Sequence, residues 1–117
     1  MIRVYEKEDQ LEALCKTTGS YLVSQLVDTS YRDLVMIFGE PTFPESNADD
    51  RVKKEWVLEY NDRVFTIYDW NTVSEDYTMN ELTTWNVGGY GSQSATDLID
   101  IIQHEKTKHI HRAKENA

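Results

Sequence analysis

The chain is short of several residue types, and each shortage removes a class of function. It has one cysteine, Cys15, in 117 residues, which excludes an internal disulfide and a thiolate metal cluster and fits a reducing compartment. Cys15 then reads as a small core residue. All three histidines, His104, His109 and His111, fall near the end, so the body upstream has no imidazole to activate a nucleophile. Their spacings of five and two do not bring two rings to one helix face, where three or four is needed, so no metal site is expected. Neither a Gly-x-Ser-x-Gly elbow nor a His-Glu-x-x-His pattern is present, and enzyme chemistry is disfavoured. No apolar run approaches the roughly 18 residues of a membrane helix. The start, Met1-Ile-Arg-Val-Tyr-Glu, lacks the basic-then-apolar order of a signal peptide. A cytoplasmic setting with no membrane partner is the expectation.

Basic residues are also scarce where they would matter. The formal charge is −9, from 21 Asp and Glu against 12 Lys and Arg. Residues 1–103 hold 19 acids and 8 bases, and residues 104–117 hold 2 acids and 4 bases. An acidic body with a basic tail is a poor ligand for nucleic-acid phosphates, which draw on Lys and Arg, and it leaves basic protein surfaces as natural partners. Aromatics, by contrast, are plentiful, with three Trp, seven Tyr and three Phe. That is too many for a disordered chain, so one folded domain over residues 1–103 is expected, followed by a flexible or helical tail over 104–117.

The hydrophobic pattern implies an α+β fold: an antiparallel sheet of three to four strands with two to three helices packed on one face. Ile2, Val4 and Tyr5 suit a short strand, and Leu11, Leu14 and Cys15 recur at helical spacing within 6–16. Gly19 ends that helix, and 21–27 reads as a strand. Ser30 and Asp33 make a capping box for a helix over 31–38, with Gly39 and Pro41 closing it. From Val52 to Trp70 the period is two, broken at Asn61-Asp62, which reads as a two-residue hairpin turn. That turn sets Tyr60 against Arg63, Leu58 against Phe65, Trp56 against Ile67, Lys54 against Asp69 and Lys53 against Trp70. Trp56, Leu58, Tyr60, Phe65 and Ile67 form the inner face. A strand over 83–87 then reaches a turn at 88–91 and a helix carrying Ala95, Leu98, Ile99 and Ile102, with Ser94 and Asp97 as a capping pair.

Four constellations carry candidate chemistry. Gly88, Gly89, Gly91 and Ser92 form a glycine-rich turn whose amides suit an anion at a helix start, although the dinucleotide and P-loop spacings are absent. Trp70, Trp85 and Tyr90 supply an aromatic rim beside it. Glu45, Asp49 and Asp50, with Glu75 and Asp76, are acidic loop residues suited to a basic partner. Asp69 with Glu55 or Glu59 is a conceivable carboxylate pair, but alternation points Asp69 to one face and both glutamates to the other, so no catalytic residue is assigned. No cofactor is implied.

The blocks Phe38-Gly-Glu-Pro41, Glu55-Trp56, Ile67-Tyr-Asp-Trp70 and Trp85-Asn-Val-Gly-Gly89 occur in an order that resembles a group of short proteins encoded mainly by tailed phages and large DNA viruses. The likeness spans roughly 21–103. It implies a virus-encoded inhibitor of a host defence system, such as a CRISPR or restriction nuclease complex, that occupies a basic nucleic-acid-binding surface. Two other readings stay open: a module binding a small nucleotide-like ligand, and a structural or assembly subunit acting as a homo-oligomer.

Overall fold

Asn61 and Asp62 both hold positive φ, 52° and 62°, the backbone a tight two-residue hairpin requires. In this computed structural model, which describes residues 2–43, 54–69 and 84–115, that turn joins β3 (Glu55–Tyr60) to β4 (Arg63–Tyr68). Tyr60 pairs with Arg63, Leu58 with Phe65 and Trp56 with Ile67, the register the turn dictates. Lys53 opposite Trp70 lies outside the described residues.

Among the described residues the sheet is antiparallel throughout and has five strands, with β1 (Ile2–Val4), β2 (Tyr21–Leu26) and β5 (Trp85–Gly89) joining the hairpin in the order β1-β3-β4-β5-β2. It exceeds the three to four strands expected, because all five stretches that read as strands join one sheet. The fold is α+β. No helix among the described residues is long and apolar enough to cross a membrane.

The inner face buries Trp56, Leu58, Phe65 and Ile67 together with Trp85, Val87 and Leu26. Two helices cover it, α2 (Tyr31–Phe38) through Leu34, and α3 (Ser92–Glu115) through Ala95, Leu98 and Ile102. At α2 the Ser30 hydroxyl accepts the Asp33 amide at 3.1 Å and the Asp33 carboxylate accepts the Ser30 amide at 2.9 Å, a reciprocal cap. Gly39 leaves the helix at φ 83°. Both ends of α2 are tied to the sheet. The Trp85 indole N–H donates to the Thr29 carbonyl at 2.9 Å, and that of Trp56 donates to the Gly39 carbonyl at 3.0 Å. The two indoles meet edge to face at 5.5 Å with Tyr31 alongside, so each tryptophan buries its bulk and satisfies its one donor.

The third helix, α1 (Gln10–Thr17), lies across the other face of the sheet, where Ala13 packs with Tyr5 and Val57. The helices are thus divided between the two faces, two on one and one on the other. The apolar pattern of α1 is also inverted from expectation. Its sheet-facing residues are Gln10, Ala13 and Thr17, while Leu11 is 82% exposed, Leu14 is 54% exposed and Cys15 is exposed. The cause is local. Ala13 permits close approach to Tyr5 and Val57, and the Gln10 amide donates to the Thr42 carbonyl at 2.9 Å. Thr42, itself buried, donates its hydroxyl to the Tyr5 carbonyl and accepts the Val57 amide at 3.0 Å.

Candidate functional site

β1 alternates Ile2 and Val4 onto the inner face opposite Tyr60 and Leu58, with Arg3 on the other face opposite Glu59. Beyond Val4 the chain turns outward through Glu6-Lys7-Glu8, and Asp9 accepts the Glu6 amide at 3.1 Å to close a single helical turn. Across from it, α2 ends in Ile37 and Phe38 and exits through Gly39, Glu40 and Pro41. Between these segments run two adjoining clefts of about 490 and 310 Å³ that share Val4 and Phe38. The floor is apolar: Ile2, Val4, Ile37, Phe38 and Ile101. Around the larger cleft stand Glu6, Glu8 and Glu40, all exposed, against one ammonium, Lys7. At the far end Glu105 contributes a carboxylate that also contacts Lys108 at 3.7 Å.

An apolar trough with a negative rim suits a segment that offers aliphatic or aromatic side chains flanked by Lys or Arg. Sequence reasoning missed it because Glu6 and Glu8 read as the opening of a helix. Only the pairing of β1 with β3 carries Val4 to Phe38.

The glycine-rich segment is arranged otherwise than expected. Gly88 and Gly89 are not in a turn; they are the last residues of β5, paired with Leu22 and Tyr21 of β2. A side chain at Gly88 would place its Cβ 2.5 Å from the Thr66 hydroxyl oxygen, and one at Gly89 would sit 3.1 Å from the Phe65 ring. These glycines therefore serve close approach within the sheet. Gly91 precedes α3, Ser92 is its first residue and Ser94 lies inside it, so Ser94 does not cap. Beside Gly91 lies a cleft of about 200 Å³ lined by Arg63, Phe65 and Tyr90, below the usual size for a small-molecule site. Trp85 is fully buried in the core and forms no rim. Tyr90, half exposed, directs its hydroxyl to the Lys16 and Thr18 carbonyls at 2.7 Å each. Trp70 and the acidic residues Glu45, Asp49, Asp50, Glu75 and Asp76 lie outside the described residues.

Alternation points Glu55 and Asp69 to opposite faces, yet the Asp69 charge reaches the Glu55 carboxyl. Asp69 follows the end of β4, and its buried carboxylate accepts the Lys54 amide at 3.0 Å. The Lys54 ammonium lies 5.7 Å from the Tyr31 ring centre. Burial, reinforced by the Asp69 charge, pushes the Glu55 carboxyl up to about 7, and burial with the Glu55 charge raises the neighbouring Tyr68 phenol. A carboxyl that holds its proton near neutrality can exchange it, but this one has no nucleophile or imidazole in the described body beside it.

Comparison with protein-family models, with curated proteins and with solved structures finds no match for this chain.

Proposed function

We propose that the chain is a non-catalytic acidic binding protein that captures a basic, apolar-anchored segment of a partner protein in the groove between β1 and α2. In the setting its viral likeness implies, that partner is the basic nucleic-acid-binding surface of a host defence nuclease complex, and the protein acts as its inhibitor. The observation that carries the reading is the groove itself, with three exposed carboxylates around the apolar floor of Val4 and Phe38. The net charge of −9 adds long-range attraction for a cationic partner, which salt screens within about 8 Å at physiological strength.

Titration calorimetry with a synthetic amphipathic Lys/Leu peptide, and with its Glu/Leu counterpart, tests the proposal. The basic peptide should bind, weaken steeply as salt is raised, and lose most of its affinity to Glu6→Gln/Glu8→Gln/Glu40→Gln. Equal binding of both peptides, or no effect of the triple variant, would refute it.

A further inference from the structure

We infer that β2 is a self-recognition edge, at which a second copy of this chain adds its own β2 antiparallel across a two-fold axis and joins the two sheets into one. Among the described residues β2 is paired on one side only, with β5. Its six residues, Tyr21–Leu26, offer an edge of about 20 Å. Tyr21 and Leu22 are each 56% exposed, and Val27 just beyond is half exposed.

Charge selects the occupant. From Thr17 to Val27 the sequence has no charged residue, and β5, the strand paired with it, has none either. A second copy of an acidic chain meets like charge over most of its surface, but an uncharged strand set antiparallel to itself opposes no like charges and is self-complementary by symmetry. The opposite edge differs in kind. β1 has three residues and runs directly into Glu6-Lys7-Glu8-Asp9, the short, charged form by which proteins block strand addition. At its far end β2 is closed by α3, where Gln103 donates to the Val27 carbonyl at 3.1 Å and Lys106 donates to that of Asp28. The bulge between Leu22 and Ser24 twists the edge, which works against flat, open-ended stacking.

Sedimentation velocity on the full chain, from about 1 μM to about 500 μM, decides the matter. A concentration-dependent monomer–dimer equilibrium is expected, one that strengthens as salt screens the repulsion between two copies of charge −9. Leu22→Glu/Gln25→Glu, which faces carboxylates across the axis, should weaken it at least tenfold, while Leu22→Thr/Gln25→Thr, which keeps strand propensity, should still dimerise. Circular dichroism confirms that both variants fold. A monomer at every concentration, a dimer indifferent to the glutamates, growth beyond the dimer, or equal loss in the threonine variant would each overturn strand pairing.

Discussion

The two edges of the sheet are built to opposite specifications. The β1 edge is short and charged, and it borders a groove whose rim is acidic. The β2 edge is twice as long by residue count, three against six, uncharged and flanked by exposed apolar side chains. One edge is suited to a partner of opposite charge and the other to a copy of itself. A small domain with a single sheet can thus divide its recognition between two ends, provided that charge keeps each ligand from the wrong one.

The largest way to break this comparison is at the seam that holds β2. Gly88→Ala drives a methyl against the buried Thr66 hydroxyl, 2.5 Å away, and should cost about 3 kcal/mol in urea denaturation. Adding Thr66→Ala should recover part of that loss, and hydrogen exchange should show β2 amides losing protection before those of β1 and β3.

Next comes Glu55 on the other side of the hairpin. Its carboxyl sits near 7 in the fold, against an ordinary value of 4.5. Because the folded value is raised, its favourable contribution is complete below about 4.5 and is lost as pH rises through about 7. Glu55→Gln cannot ionise, so it should exceed the parent by about 2 kcal/mol at pH 8 and match it near pH 4. A gain independent of pH would mean that the carboxyl is not perturbed.

Ser30→Ala removes the cap of the helix that both tryptophans hold, at an expected cost of about 1 kcal/mol in thermal unfolding. Smallest of all, Leu11→Ser and Leu14→Ser should each change stability by less than about 0.5 kcal/mol, since both side chains already face water. A loss of core magnitude at either would show that α1 presents its leucines inward.

The parts of this fold legible in the sequence are those whose signals are local. The capping box at Ser30 and Asp33, the exit at Gly39 and the turn at Asn61-Asp62 each fix their own backbone, and the turn carries the register of β3 and β4 with it. What escaped were features set by distant partners. Leu11 and Leu14 follow a helical apolar period yet face solvent, because the small Ala13 and the hydrogen-bonding Gln10 fit the sheet better. Gly88 and Gly89 resemble a turn, but their need for space comes from Thr66 and Phe65 on a neighbouring strand. The groove was invisible for the same reason, since its walls come from residues more than thirty positions apart, Val4 and Phe38.

The anchoring of α2 by Trp85 at one end and Trp56 at the other has a kinetic meaning. An eight-residue helix would fray alone in water, yet here neither terminus can swing without leaving the N–H of a buried indole unpaired. The wall bearing Ile37 and Phe38 is therefore in place before any ligand comes near. Capture of the proposed basic segment would then require no reshaping, and its speed should be governed by diffusion and by the attraction of opposite charges.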